Sequence, residues 1–199
     1  MRRFNATERW FHWAFVIPFL VLLATGVMLA LPDLEILLAQ RDLIRTLHLA
    51  AAWGMVVLPL LVVLTGDRRA LSRDLHDIDY WDRLDLQWLR RAPVFFIKAL
   101  PPAGRFNAGQ KLNAILVGAA AVGFLVTGLA MWKAELFPLW VGDVCTQLHD
   151  LLTVAIVPLV AGHLFLTLVN PSTRGSLPGI LSGYVDRSWA AAHHPRWKP

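Results

Sequence analysis

The chain has 199 residues, of which 56% are hydrophobic and 17% are charged, and its formal net charge is +5 at pH 7. The mean hydropathy of +0.51 is too high for an ordinary soluble domain and indicates an integral membrane protein. The single cysteine, Cys145, excludes an intrachain disulfide and any C-x-x-C motif, including covalent attachment of a c-type haem. A chain of this length predicts one domain covering residues 1–199.

Four apolar segments are long enough to cross a bilayer. They cover residues 10–31, 47–65, 112–131 and 148–169. The first segment is too long for the apolar region of a signal peptide, so we expect it to be a retained span. The sequence therefore predicts an all-α membrane protein, a four-transmembrane-helix bundle with a long amphipathic cytoplasmic loop between helices 2 and 3.

The long polar segment between the second and third spans covers residues 66–111. From Ser72 to Leu100 it alternates acids, bases and aromatics, which predicts helical pieces lying on the membrane surface and interrupted at Pro93. Because its acids are interleaved with arginines, we expect a solvated helix face or a docking surface rather than acid–base or metal chemistry. These acids are Asp74, Asp77, Asp79, Asp82 and Asp85.

The basic residues are distributed unevenly among the segments outside the spans. The N-terminus, the 66–111 segment and the C-terminal tail together carry 16 of the 19 lysines and arginines, and the two short connections carry the other three. The positive-inside rule therefore predicts that both termini and the long loop lie in the cytoplasm.

Four histidines fall within or at the ends of the predicted spans. The predicted orientation puts His12 and His163 on the inner side of the membrane and His48 and His149 on the outer side. His149 and His163 are 14 residues apart, about 21 Å along one helix, and lie on nearly the same face. Ionisable residues inside a membrane are functional candidates by default. The histidines thus form two depth-matched pairs, His12 with His163 and His48 with His149.

Two neutral imidazoles in an apolar setting suit haem b, with one iron between each pair. Zinc is a weaker alternative at the outer site, where Asp150 is adjacent in sequence but faces away from His149. A simpler alternative is that some of these histidines are interfacial residues near helix ends. The other histidines, His76, His193 and His194, lie in polar segments and are expected to be solvated. No nucleotide-binding loop or hydrolytic triad is recognisable, and no catalytic residue is predicted.

The segment before the third span, GRFNAGQK (Gly104 to Lys111), carries two amide side chains. Asn107 and Gln110 offer donors and acceptors that suit a quinone carbonyl. Polar residues before a span are more often only the start of the helix, and the segment by itself leaves both interpretations open.

GRFNAGQK resembles the G-[KR]-[YF]-N-A-G-Q-K signature of the cytochrome b (gamma) subunit of membrane-bound respiratory formate dehydrogenase, within the dihaem cytochrome b561-like superfamily. The initial ERWFHW, the His149/His163 spacing and the final HHPRW resemble that family too, over nearly the whole chain. The departures are mild. Arg105 and Phe106 replace the commoner Lys and Tyr, and the tail stops soon after HHPRW.

This resemblance implies two b haems. His12 and His163 would be the axial ligands of the inner haem iron, and His48 and His149 those of the outer haem iron. It also implies a site for menaquinone or ubiquinone at Asn107, Gly109 and Gln110, with His163 close by. The implied partners are an iron–sulfur subunit and a molybdenum or tungsten catalytic subunit, in a bacterial cytoplasmic (inner) membrane. Nucleic acid is not among the expected partners, and a higher oligomer of the complex is compatible with the resemblance.

The function implied is that of a membrane-anchor electron-transfer subunit. Electrons from an outer iron–sulfur partner would pass through the two haems to quinone at the cytoplasmic side, while formate oxidation would occur on another subunit. The nearer alternatives are the cytochrome b subunit of a hydrogenase, thiosulfate reductase or other molybdoenzyme, and a stand-alone b561-type quinone oxidoreductase. The farther alternative is a channel, carrier or scaffold without haem.

Overall fold

The computed structural model describes residues 1–31, 40–92 and 100–198. Its α-helices are α1 (Ala6–Ala30), α2 (Arg41–Thr65), α3 (Arg68–Asp79), α4 (Arg83–Arg91), α5 (Ala108–Trp132), α6 (Leu139–Leu164), α7 (Leu177–Ser182) and α8 (Arg187–His193). Short 3-10 turns occur at Ala134–Leu136 and Arg174–Ser176, and a π-helical turn, Phe165–Val169, extends α6. Within the described ranges, extended pairing is limited to an isolated bridge between Arg2 and Tyr184. The all-α prediction is confirmed.

Four helices are long and apolar enough to cross a membrane, namely α1, α2, α5 and α6 with its π-helical extension. This confirms the four predicted spans, but the helices are longer than the apolar runs. Helix α2 begins at Arg41 rather than at residue 47, and α6 begins at Leu139 rather than at residue 148. Hydropathy marks only the part of a helix that suits lipid, whereas backbone hydrogen bonding continues into the flanking polar turns.

The longer helices change where the histidines lie. The predicted spans begin at residues 47 and 148 and would put His48 and His149 in the first turns of their helices. In the structure His48 lies seven residues and His149 ten residues after the first residue of its helix. His12 likewise lies in the second turn of α1 and not the first. These expected helix ends were wrong, and helical backbone extends on both sides of each of the three histidines.

The chain divides into two compact units. One, called the bundle unit here, comprises Trp10–Gly66 and Ala119–Val160. Inside it α1 meets α2, where a Cβ on Gly54 would lie 3.5 Å from Pro18. Helix α2 meets α5, where Trp53 and Trp132 form a T-shaped pair with ring centroids 6.2 Å apart. Many of its large apolar side chains are exposed, as expected for helices that face lipid hydrocarbon.

The other unit, called the terminal unit, comprises Met1–Arg9, Asp67–Gly118 and Ala161–Pro199. Here the two ends of the chain pair. The backbone N–H groups of Arg3 and Phe4 donate to the carbonyl oxygen of Gly183, at 2.7 and 3.2 Å. The N–H of Val185 donates to the carbonyl oxygen of Met1 at 3.0 Å. The polar tail is therefore a folded part of this unit.

The predicted helical pieces of the long loop are present as α3 and α4. Asp67 caps α3 by accepting from the N–H groups of Arg69 and Ala70, and Asp82 begins α4 in a capping box with Asp85. The expected interruption at Pro93 lies outside the described residues. That these helices lie on the membrane surface stays a prediction.

Three residues expected to be solvated are withdrawn from solvent in the terminal unit, Asp85 and His194 being buried and Asp74 half-buried. Asp85 is paired with Lys111 at 2.8 Å, and Asp74 is paired with Arg105 at 2.5 Å. His194 is only 2% exposed, because the tail packs back onto Ala103 and Gly104. The expectation of a solvated surface was wrong for these three residues. It is confirmed for His76, which is exposed, while His193 is half-buried.

Candidate functional site

Two of the four predicted ligand histidines meet in the bundle unit. His48 comes from α2 and His149 from α6, and their ring centroids are 6.4 Å apart with the ring planes tilted by 58°. Phe124 lies edge-on to His149, with ring centroids 4.9 Å apart. The structure therefore brings together one of the two predicted pairs within a single compact unit.

Each of these two imidazoles is held by a threonine on a neighbouring helix. Nδ1 of His48 lies 2.8 Å from Oγ1 of Thr25 on α1. Nδ1 of His149 lies 2.8 Å from Oγ1 of Thr127 on α5. Both threonines are buried, at 7% and 5% exposure. Sequence reasoning missed them, although the sequence carries a signal: a Thr-Gly pair precedes each histidine, 23 residues before His48 and 22 before His149.

The glycine of each Thr-Gly pair lets an imidazole lie against the helix backbone. A Cβ on Gly26 would lie 3.5 Å from Cε1 of His48, and a Cβ on Gly128 would lie 3.5 Å from Cε1 of His149. The two halves of the bundle unit thus present their histidines in the same way, with α1 supporting the ligand of α2 and α5 supporting the ligand of α6.

The spacing of the two rings fits a shared haem iron. Two imidazoles on opposite sides of one metal ion, each with a metal–nitrogen bond of about 2 Å, place their ring centroids roughly 6 Å apart. The observed 6.4 Å agrees with this. A closed zinc site needs further ligands, and the described part of the chain contains no group of three or more His, Cys, Asp or Glu residues placed to hold a metal ion. The pair therefore suits haem better than zinc.

The other two histidines belong to different units. His12, in α1, is half-buried in the bundle unit and lies edge-on to Trp13, with ring centroids 5.3 Å apart. His163 belongs to the terminal unit and lies one residue before the end of α6, where the π-helical turn begins. The predicted inner pair of His12 and His163 stays a prediction.

The amide side chains before α5 form a reciprocal cap. Oδ1 of Asn107 accepts from the N–H of Gln110 at 2.9 Å, and Oε1 of Gln110 accepts from the N–H of Asn107 at 3.0 Å. The helix-start interpretation is therefore confirmed for both residues. This cap uses the amide oxygens and leaves the two NH₂ groups, which are donors, outside it.

A cavity of about 480 Å³ opens beside this cap in the terminal unit. Its walls include Asn107, Gln110, Trp88, Trp189 and His193. It thus combines two amides with two indoles, and the C-terminal HHPRW segment forms part of its wall. Gly109, the third predicted quinone residue, packs against Trp88, since a Cβ there would lie 2.8 Å from Cη2 of the indole.

A charged cluster in the same unit surrounds Arg105. Its guanidinium pairs with Glu8 at 2.6 Å and Asp74 at 2.5 Å, and stacks over the ring of Phe4 at 5.1 Å. Burial raises the pKa of Asp74 to about 7; Arg105 opposes this rise, and the nearby Glu8 and Asp77 add to it. One arginine thus pairs with two carboxyl groups, the buried Glu8 and the half-buried Asp74. Burial, assisted by Arg3, lowers the pKa of His194 to about 4, so this imidazole is neutral near pH 7.

A comparison with protein families matches residues 3–183 to the prokaryotic cytochrome b561 family, and the chain belongs to that family. Membership implies that the protein binds haem b. Family membership and the four apolar helices together define the class of the protein, a multi-pass membrane protein that transfers electrons.

Curated relatives extend along almost the whole chain. The cytochrome b556(Fdn) subunit of the nitrate-inducible formate dehydrogenase of Escherichia coli (strain K12) is 26% identical over 200 residues, covering 96% of this chain and 86% of the relative. The formate dehydrogenase cytochrome b556 subunit of Haemophilus influenzae is 27% identical over 214 residues, covering 98% and 81%. The E. coli cytochrome b556(fdo) subunit is 25% identical over 207 residues, covering 98% and 90%. The resemblance indicated by the sequence motifs is confirmed.

Proposed function

We propose that the chain is the membrane-anchor electron-transfer subunit of a respiratory complex of the formate dehydrogenase type. Electrons from an iron–sulfur partner on the outer side pass through two b haems to quinone on the cytoplasmic side. The observation that carries this proposal is the His48/His149 pair, whose 6.4 Å ring separation suits an iron with two imidazole ligands. The names of the relatives support a formate dehydrogenase-type complex.

The inner haem is assigned to His12 and His163. Support comes from the family resemblance and from the basic residues, 16 of which lie in the terminal segments and the long loop and favour a cytoplasmic location for them. In that orientation His12 lies in the second turn of α1, near the cytoplasmic end of the first span, and His163 approaches the same side at the end of the fourth. The second histidine pair would then lie about 21 Å deeper in the membrane, the rise along a helix from His163 to His149.

Haem b, when bound, supplies reversible one-electron transfer at its iron. The chain's own residues orient and enclose it. His48 and His149 present nitrogen ligands from two helices, and Gly26 and Gly128 let those rings lie close to the supporting helices. Inward movement of an electron against a membrane potential of ~100 mV costs about 2.3 kcal/mol, so the donor must be a strong reductant. A formate-oxidising partner meets this requirement.

Quinone is assigned to the Asn107 and Gln110 side chains. Their amide oxygens are used in the helix cap, so the groups that meet a quinone carbonyl are the two NH₂ donors. The adjoining cavity offers indole rings to the quinone ring, which is flat and apolar. Gly109 contributes by letting Trp88 pack closely beside the cap.

Absorbance spectra of the purified protein, oxidised and dithionite-reduced, test the haem assignments. His163→Ala should lose the inner haem and quinone reduction while an outer haem remains reducible by the partner. His48→Ala should lose the outer haem. His76→Ala, at an exposed position on α3, is the matched control and should keep both. Two low-spin b haems in the His163→Ala protein would overturn the inner-haem assignment.

The donor is tested separately. Purification of the native complex should recover a molybdenum or tungsten subunit and an iron–sulfur subunit with formate-oxidising activity. Recovery with a hydrogenase or a thiosulfate reductase would support the assignment as a cytochrome b but replace formate dehydrogenase as the electron donor. Recovery without partners would indicate a stand-alone quinone oxidoreductase. A chain without haem absorption bands would refute all of these functions.

A further inference from the structure

The hydroxyl groups of Thr25 and Thr127 each carry a single proton, so each can donate one hydrogen bond, and the distances show which atom accepts it. Oγ1 of Thr25 lies 2.7 Å from the carbonyl oxygen of Val21 and 3.2 Å from that of Leu22. A carbonyl oxygen can only accept, so the Thr25 O–H points along its own helix. The 2.8 Å contact between Thr25 Oγ1 and His48 Nδ1 must then be donated by the ring N–H.

The same deduction holds for the second pair. Oγ1 of Thr127 lies 2.7 Å from the carbonyl oxygen of Gly123 and 3.3 Å from that of Phe124. Its hydroxyl proton is therefore also directed to the backbone, and Nδ1–H of His149 donates to Thr127 Oγ1 across 2.8 Å. Each ring is thus fixed by one hydrogen bond to a threonine whose own hydroxyl is bonded to the helix backbone, and the pattern occurs twice in one unit.

This arrangement fixes the tautomer of both histidines. A neutral imidazole has one N–H, and with that proton on Nδ1 the lone pair is on Nε2, the nitrogen at the far side of the ring. Nε2 is then the atom available to a metal ion, and the hydrogen bond prevents the ring from turning Nδ1 toward it. Because both threonines are at least 93% buried, water has little access to compete for the ring N–H.

We propose that Thr25 and Thr127 are positioning residues that hold His48 and His149 with Nε2 directed at one shared iron and set its redox potential. This inference rests on the proposed function, in which the two histidines are axial ligands of a haem. A ring N–H donated to an oxygen makes the imidazole a more basic ligand, which favours ferric over ferrous iron and lowers the potential. Loss of such an outer contact typically weakens metal binding by about 10–100-fold.

The test uses the full chain in detergent, with Thr25→Val and Thr127→Val made separately. Valine keeps the branched shape and removes the hydroxyl. Thr25→Ser and Thr127→Ser keep the hydroxyl and serve as rescue variants. Thr146→Val is the matched control, because Thr146 also bonds to the carbonyl four residues earlier, Gly142, at 2.9 Å and lies on the same helix as His149. The readouts are haem content per chain, haem affinity and the potential at which each haem is half-reduced.

Each valine variant should raise the redox potential of the outer haem and leave that of the inner haem unchanged. Haem affinity at the outer site should be about 10–100-fold weaker. The serine variants and Thr146→Val should match the wild type. If a valine variant fails to accumulate, Thr25→Cys or Thr127→Cys replaces it, because sulfur is only a weak acceptor. Unchanged potential and unchanged affinity in the variants at both positions would overturn the inference. Failure of the proposed function is distinguishable, because His48→Ala would then keep the haem content of the wild type.

Discussion

Nζ of Lys111 lies 2.8 Å from Oδ2 of Asp85, and this ion pair is buried in the terminal unit. It joins the first turn of α5 to α4, and Nζ also donates to the carbonyl oxygen of Tyr80 at 2.7 Å. The pair therefore anchors the start of the third span to the loop before it, next to the Asn107/Gln110 cap.

Lys111→Met should destabilise the terminal unit by about 3–5 kcal/mol, because it leaves the Asp85 carboxylate buried without its counter-charge. The double variant Lys111→Met/Asp85→Asn should recover part of that loss, since it removes both charges. Thermal denaturation of the purified protein, followed by circular dichroism, measures both. A double variant destabilised by the full sum of the Lys111→Met and Asp85→Asn effects, each measured alone, would show that the two charges do not interact.

Gly109→Ala should reduce stability and quinone reduction together, because its Cβ would lie 2.8 Å from Cη2 of Trp88 and would displace the indole from the cavity wall. Combining it with Trp88→Leu should restore much of the stability by making room. Gly118→Ala is the control, because a Cβ there meets no atom within 4 Å. Equal behaviour of the alanine variants at 109 and 118 would refute the packing role. Quinone reduction is measured with a soluble quinone analogue as the electron acceptor, and stability by thermal denaturation.

The sequence predicts the four spans and singles out four histidines as candidates because the causes are local. Lipid demands about 20 apolar residues in one run, and an imidazole within such a run stands out whatever surrounds it. The helix ends are less visible. Residues 41–46 and 139–147 continue α2 and α6 through backbone hydrogen bonds that hydropathy does not report.

The contacts of the terminal unit could not be predicted in the same way. Arg105 meets Glu8 across 97 residues and His194 meets Gly104 across 90, so no local pattern reveals either contact. Charged residues alternating in a polar loop resemble a solvated face until tertiary packing buries some of them. Thr25 and Thr127 are an intermediate case. The repeated Thr-Gly pair is visible, but a helical threonine that bonds to the preceding turn gives no sign of a second partner.

Gly183→Ala should loosen the pairing of the two chain ends. Gly183 has φ of 93°, and a Cβ there would lie 2.6 Å from the carbonyl oxygen of Phe4, which is backbone and cannot move easily. The left-handed conformation alone costs an alanine about 1–2 kcal/mol, and the clash adds to it. Limited proteolysis should cut the tail of this variant faster than that of Gly104→Ala, where a Cβ meets no atom within 4 Å. Equal cleavage rates would contradict the prediction.

The stability of the terminal unit should depend on pH through Asp74. Its pKa is raised from 3.8 to about 7 in the folded chain, chiefly by burial, so the folded state holds a proton that the unfolded state releases. The stabilisation is complete below about pH 4 and is lost as the pH rises through 7. His194 acts in the opposite direction, because its pKa falls from 6.5 to about 4, and its contribution is lost as the pH falls below 6.5.

The contributions of Asp74 and His194 to the pH dependence are distinguished by comparing the stability of the wild type with that of Asp74→Asn at each pH. Asparagine does not titrate, so the variant should gain stability relative to the wild type as the pH rises from 4 to 8, with the change ending slightly above 7. Asp79→Asn, at an exposed site on the same helix, is the control and should keep the pH profile of the wild type. Denaturation midpoints at half-unit pH intervals measure the difference. A constant difference between wild type and Asp74→Asn across this range would show that Asp74 is not the group that titrates.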